Sequence, residues 1–348
     1  MKNKYLLSIL IALPPSAFAQ LQLTESLYLD GFGTFAAAKS DNNTPVLFNR
    51  DITDEWCFDC DTTMGLQLNW AITPKLRSAI QVVKRPQDTF SEPEIERAFV
   101  EYSLNETKIK AGRLRVPIFI MSEYYFVSSA YPWLRLPSEV YNNTLGITHY
   151  EGIAVDWSHT FEDDFQLNLT PFYSRKSNDR RSLYGEWFNL EIKQSYGFSA
   201  DLFFGDNTIH ASVINASVVQ EYLNQLPIEF DLQLYSAGFS YYIDKLHLQS
   251  ELLVSREFHV NWYTSVDYNI KNWTPYFQYG QARRAFHSNT YLTGVRYDIT
   301  PSINLKMEWQ RIYGQKEIIS GQFTMPQNPL EPLADKVDIF SAGISFTF

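Results

Sequence analysis

The 348-residue sequence has no run of 18 or more apolar residues, so it cannot form a bundle of membrane-spanning helices. Nor does it carry an excess of positive charge. Against 39 Asp and Glu stand 29 Lys and Arg, a net −10 at pH 7. That balance excludes nucleic acid as a partner, which needs a basic surface. Catalytic signatures are missing too. The six histidines, at 149, 159, 210, 247, 259 and 287, show no H-E-x-x-H spacing. There is no G-x-S-x-G elbow and no G-x-x-x-x-G-K phosphate loop. The only hints are Ser255 with His259, and the acids at 162–164; chance explains both. The expectation is a non-enzyme with no cofactor.

What the chain has in quantity is aromatic side chains, 16% of residues: 25 Phe, 22 Tyr and 8 Trp. That content excludes disorder. The first nineteen residues read as a leader. Lys2 and Lys4 precede the apolar stretch Tyr5 to Leu13, and Ala17-Phe18-Ala19 offers an A-x-A cleavage site before Gln20. The alternative is an uncleaved anchor, for which the apolar stretch is short. Removal of Lys2 and Lys4 would take the net charge from −10 to −12. Cysteine is limited to Cys57 and Cys60. In an exported chain this pair reads as a small loop disulfide. A redox pair would want a helix start in an α/β setting, and a zinc site would want two more ligands.

After residue 20 the hydrophobic period is 2. Leu66, Leu68, Trp70 and Ile72 alternate with Gly65, Gln67, Asn69 and Ala71. Tyr196, Phe198, Ala200, Leu202 and Phe204 alternate with Gly197, Ser199 and Asp201. Similar runs recur to the C-terminus, each the pattern of a strand with one apolar and one polar face. A soluble sandwich would alternate in the same way. Two features favour a membrane barrel. Short turns, such as Thr73-Pro74, Asn105-Glu106, Gly205-Asp206-Asn207, Asp244-Lys245 and Thr300-Pro301, interleave with long loops at about 39–61, 84–93, 114–149, 174–195, 219–229 and 314–336. Aromatics, including Trp70, Tyr102, Tyr173, Tyr241 and Trp273, cluster near strand ends, where headgroup-level rings sit.

The alternation predicts an all-β protein, a transmembrane antiparallel β-barrel of about sixteen strands. The runs are 23–38, 62–73, 75–83, 94–104, 107–113, 150–159, 165–173, 196–204, 208–218, 230–243, 246–255, 260–268, 273–279, 289–299, 303–312 and 337–348. Residues 184–195 could add a strand, 107–113 is short and 273–279 could merge with its loop, so fourteen or eighteen remain open. Closure removes the unpaired edges that lipid would penalise. Phe340, Ala342, Ile344, Phe346 and Phe348 form one apolar face ending at the last residue. An ordinary edge strand ending in Phe is the alternative.

The connection 114–149 is the longest and is too apolar to hang in water. Sixteen strands enclose an interior able to receive it. With its strand count, loop order, leader and terminal Phe348, the chain resembles the trimeric porins of Gram-negative outer membranes. The run Gly112-Arg113-Leu114-Arg115-Val116-Pro117, with Tyr131-Pro132-Trp133 and Arg135, looks like a divergent porin-like branch. The resemblance implies that this loop folds into the lumen as a constriction and that the chain is a homotrimer in outer-membrane lipid. It also implies that Phe348 addresses the barrel-assembly machinery and that small hydrophilic solutes or ions diffuse passively through. The acidic Pro-Glu-Phe-Gly-Gly loop motif of general porins is absent, so their constriction residues cannot be carried over one by one.

Alternation alone puts Arg77, Gln81, Arg97, Glu101, Asp156, Glu251, Arg296, Lys306 and Glu308 on inward faces. The loop adds Arg113, Arg115 and Arg135, with Glu123 and Glu139 opposing. Two readings stay open: the three loop arginines make a locally basic, anion-preferring eyelet, or they tether the loop to wall carboxylates. The loop rings Tyr124, Tyr125, Phe126, Tyr131 and Trp133 form either a sugar-stacking slide or a small anchoring core. Other function classes compatible with a closed lumen are a receptor or adhesin, and an enzyme acting from its loops.

Overall fold

A computed structural model describes all residues except 1–19, 48–49, 87–91, 145, 162–164, 184–185, 223–225, 257–259, 285–286, 315–321 and 324–333. The leader lies outside the described residues, as do His259 and the acids at 162–164. Sixteen antiparallel strands form the barrel. They are β1 (Leu27–Ser40), β2 (Thr63–Ala71), β3 (Leu76–Lys84), β4 (Glu94–Leu104), β5 (Thr107–Arg115), β6 (His149–Thr160), β7 (Phe165–Ser174) and β8 (Glu186–Phe204). Then follow β9 (Asn207–Tyr222), β10 (Ile228–Ile243), β11 (Leu246–Ser255), β12 (Val260–Tyr268), β13 (Trp273–Ala282), β14 (Ser288–Thr300), β15 (Ile303–Tyr313) and β16 (Lys336–Thr347). Each pairs with its chain neighbour, and β16 pairs with β1 to close the ring. Beyond the last strand, Phe348 exchanges two 2.9 Å backbone hydrogen bonds with Gly31. A Cβ on Gly31 would meet the Phe348 ring at about 2.1 Å, so glycine there lets the terminal ring cross the seam. Short strands at Leu21–Gln22 and Ser177–Leu183 are additional to the ring.

The sixteen strands coincide with the sixteen alternating runs, to within a few residues except where β8, β9 and the loop ends run further. Asn105, Gly205 and Asp244 open two-residue turns with positive φ, the backbone that tight hairpins require. Faces are inverted relative to a soluble protein. Leu66, Ile80, Phe198, Ile209, Phe239 and Met307 point outward and are exposed, whereas Gln81, Glu101, Gln249, Ser265, Gln278 and Lys306 point inward and are buried. Outward rings lie in two belts. Trp70, Tyr102, Phe165, Tyr241 and Trp273 sit at the short-turn end, and Tyr173, Tyr196, Tyr235 and Tyr291 at the other. This is the lipid-facing band with aromatic girdles of a transmembrane barrel.

The expected loop at 174–195 is not a loop. Ser177–Leu183 pairs antiparallel with Glu186–Ile192, extending the β7–β8 hairpin beyond the ring. Its pattern is the reverse of the spanning part. On β9, Ile209 and Val213 face out at one end, but Asn215 and Ser217 face out at the other, opposite buried Ile214, Ala216 and Val218. Outward Asn215 and Ser217 hydrogen-bond Gln233 and Asp231 of β10 at 2.8 and 2.7 Å. The girdle residues Tyr196 and Tyr235 mark where the inversion begins. Above them water replaces lipid, so the apolar face turns inward and the extended hairpins follow the rule for soluble sheets.

Candidate functional site: the lumen and its loop

Residues 116–148 leave the end of β5 and fold inward across the barrel. Apolar content drives this: Ile118, Phe119, Tyr131, Trp133, Leu136, Val140 and Tyr141 form one buried cluster with Leu253, Tyr263, Tyr276 and Leu292 of the wall. Fully burying one such side chain is worth ~1.5–3 kcal/mol. The polar atoms of the loop are met by wall side chains. Glu251 accepts from the Ile120 amide at 2.8 Å and from the hydroxyls of Tyr141 and Tyr263 at 2.5 and 2.6 Å. Lys306 donates to the carbonyls of Tyr131 and Trp133 at 2.8 and 2.6 Å and also contacts that of Ser128. Arg296 reaches the Ser129 carbonyl at 2.8 Å. Glu308 accepts from the Leu134 amide at 2.6 Å and from Tyr276 at 3.0 Å. The indole of Trp133 donates to Ser265 at 3.1 Å.

The loop charges divide by location. Arg135 is buried, pairs with Asp61 of the β1–β2 connection, and donates to Ser341 at 2.8 Å. Arg50 also binds Asp61, at 2.7 Å. Burial raises the Asp61 carboxyl's pKa, but the Arg135 and Arg50 charges outweigh it and hold it below the usual range. Arg115 is buried on Glu96 at 2.9 Å and stacks on Phe126 at 4.8 Å. Arg85 contacts the same carboxylate. Glu139, on the single-turn helix Ser138–Tyr141, is buried with no ion-pair partner among the described residues. Its carboxyl rests on Gly280 of β13, where a Cβ would come within 2.5 Å of it. Burial raises its pKa, with Thr290 beside it opposing.

Arg113 departs from expectation. The strand runs on to Arg115, and alternation from inward Lys108 and Lys110 turns Arg113 outward. There it binds Glu151 of β6 at 2.6 Å. It belongs to the outer face and does not line the lumen. Nor do Arg115 and Arg135 stand free in an eyelet, since both are spent on buried carboxylates. Tyr131 and Trp133 belong to the buried core, and Tyr124 alone of the five loop rings is exposed. Cys57 and Cys60 are joined by a disulfide.

The loop docks on the β9–β16 wall and leaves a cavity of about 750 Å³ on the other side. One flank carries cations from β3–β5: Arg77, Arg97, Lys108 and Lys110, with Arg115 behind. Facing them are Asp156 of β6, Asp201 of β8 and Asp206 of the next turn. Glu123, at the loop's innermost bend, is half exposed and binds Arg97 at 2.9 Å. Arg77 binds Glu101 through two bonds, at 2.6 and 2.8 Å. Its own side chain is 56% exposed, while that of Glu101 is 1% exposed. Lys110 binds Asp156 at 2.5 Å.

Alternation alone missed Glu96. Gln81 pairs with Arg97 and Val82 with Ile95, so Glu96 is the extra residue of a β-bulge and both it and Arg97 turn inward. Asp61 carried no signal, because its role depends on two loops meeting. Lys108 and Lys110 were legible from parity and were not singled out.

No protein-family model matches the chain, and no curated protein matches its sequence. Solved structures do match in fold. OmpF of Salmonella typhi, determined with daunomycin, superposes with a TM-score of 0.62 at 12% identity, over 94% of this chain and 100% of that one. The anion-selective porin from Comamonas acidovorans gives 0.60 at 11%, over 93% and 99%. A mutant of the Rh. blastica porin gives 0.55 at 13%, over 92% and 100%. Superposition of this closed sixteen-stranded barrel on these proteins over more than nine-tenths of its length shows that the chain has the porin fold.

Proposed function

We propose that this chain is an outer-membrane porin, a water-filled channel through which small hydrophilic solutes and ions diffuse passively past the 116–148 loop. The observation that carries the reading is the polar cavity left between that loop and the β3–β10 wall, inside a barrel whose exterior is apolar. Channel passage itself uses no catalytic step and no cofactor. Export by the leader 1–19, assembly through Phe348 and a homotrimeric state complete the reading. Selectivity follows from which charges the solute meets. The Arg77–Glu101 pair presents its cationic end to the cavity and hides its acid. Arg77, Lys108 and Lys110 on one flank therefore favour anions, and Arg77 keeps its charge at any relevant pH.

Single-channel recording in a planar bilayer under a salt gradient tests this. The expected result is stepwise openings in threes, with a reversal potential on the anion side that moves toward zero in Arg77→Ala. Silence from folded protein would transfer the weight to a closed receptor or adhesin.

A further inference from the structure

Three inward-facing residues on adjacent strands are linked in a way that solute passage does not require. Ser240 lies on β10, His247 on β11 and Asp267 on β12. Their registers put His247 across from Tyr242 on one side and from Asp267 on the other. Ser240 Oγ lies 2.8 Å from His247 Nε2, and His247 Nδ1 lies 2.8 Å from Asp267 Oδ2. The Tyr242 ring stacks on the imidazole at 4.1 Å with planes 7° apart, which restrains its rotation. Ser240 and Tyr242 both line the 750 Å³ cavity that a solute enters. That volume falls in the ~300–1,000 Å³ range of small-molecule sites.

Roles in such a set are assigned by geometry. With Nδ1–H donating to the Asp267 carboxylate, Nε2 carries a lone pair and accepts the Ser240 hydroxyl proton; this tautomer is assigned from the bonding pattern. The second Asp–His pair in the lumen behaves differently. His210 Nδ1 meets Asp201 at 2.7 Å, but its Nε2 lies 2.9 Å from the Ile118 carbonyl. A carbonyl only accepts, so His210 must donate there and has no lone pair for a base. His247 alone of these two is free to take a proton.

We propose that Ser240 is an activated nucleophile in the lumen, acylated by small carboxylic esters that enter the cavity. Ser240 Oγ attacks the ester carbonyl carbon as its proton passes to His247 Nε2. The tetrahedral adduct collapses with cleavage of the acyl C–O bond, and His247 returns the proton to the departing alkoxide, leaving an alcohol and an ester on Ser240. Water attack by the same route releases the acid. Asp267 is a positioning residue that holds the tautomer. A side-chain donor placed to meet the developing oxyanion is the Thr208 hydroxyl, directly across the β9–β10 ladder. The strand amides around Ser240 are committed to the sheet and slow both half-reactions, so the acyl-enzyme accumulates only from an activated ester whose good leaving group makes acylation outrun deacylation. The proposal rests on the channel reading only for entry of the ester.

The test uses the folded, full-length protein with 4-nitrophenyl acetate. A burst of 4-nitrophenolate, one equivalent per chain, and an acetyl group mapped to Ser240 are expected. Ser240→Ala removes both. His247→Ala slows the burst by ~100-fold or more, the range for loss of a general base. Asp267→Asn slows it while leaving heat-modifiable migration unchanged. No adduct on Ser240 in protein that conducts, or an undiminished burst in Ser240→Ala, would overturn the proposal. An adduct on Ser240 in protein that is silent in bilayers upholds the nucleophile and removes the channel.

Discussion

The two sides of the lumen carry the same kinds of inward-facing charge and use them for opposite ends. On the β9–β16 side, Glu251, Lys306 and Glu308 are covered by the loop, and their hydrogen bonds go to its amides, carbonyls and hydroxyls. On the β3–β8 side, Arg77, Lys110 and Asp156 face the cavity, Arg77 paired with Glu101 and Lys110 with Asp156 across the ladder. A charge under cover holds the fold, because breaking its bonds strands a buried group. A charge facing water contributes little to stability and is left to act on solutes.

The largest effect should come from breaking the covered side. Asp61→Asn leaves Arg50 without its carboxylate and Arg135 with only Glu308, at 3.7 Å, and a broken buried pair costs ~3–5 kcal/mol. The unfolding midpoint and the protease resistance of the loop should both fall. Wild-type protein should show a milder version on acidification. The Asp61 pKa is depressed, so its stabilisation is complete above the unfolded-state value and is lost as pH falls through the folded-state value. Glu251→Gln comes next. It weakens three hydrogen bonds to a buried charge, at ~1–3 kcal/mol in all, and should loosen Tyr141 and Tyr263 as read by tyrosine fluorescence.

On the open side the pattern should reverse. Lys110→Ala should cost less stability than Asp61→Asn and yet shift the reversal potential toward cations. A Lys110→Ala protein that unfolds early with unchanged selectivity would erase the distinction between the sides. The smallest effect is expected at Glu139, whose raised pKa means that its charged form carries a burial cost at neutral pH. Glu139→Gln should leave the midpoint unchanged or higher near pH 7, with the gain vanishing in acid, where Glu139 is already protonated.

Period-2 alternation was enough to read all sixteen strands and most inward faces, because lipid on one side and water on the other give every strand a strong polarity contrast. Arg77, Arg97, Glu101, Asp156, Glu251, Lys306 and Glu308 lie on the faces that this parity turns inward. It could not say which of them the loop would cover, since Lys306 and the Trp133 carbonyl are 173 residues apart in sequence. The failures have local causes. Arg113, the last residue of the 107–113 run, was grouped with the loop although the strand continues to Arg115, and a bulge hid Glu96. Above the outer girdle the contrast changes sign, so Phe188, Leu190 and Ile192 read as an irregular loop instead of the inner face of a hairpin. Ser240, His247 and Asp267 carry no motif spacing, because only the ladder register brings them together.

The division of the lumen is tested most directly by thiol accessibility, with the native disulfide the only other sulfur pair. Asp156→Cys on the open side and Gln278→Cys on the covered side would be treated with a charged methanethiosulfonate during bilayer recording. The predicted result is rapid reaction and a drop in conductance at 156, and no change at 278. Equal reaction at the two positions would contradict it, because the loop would then not be sealed against the β9–β16 wall.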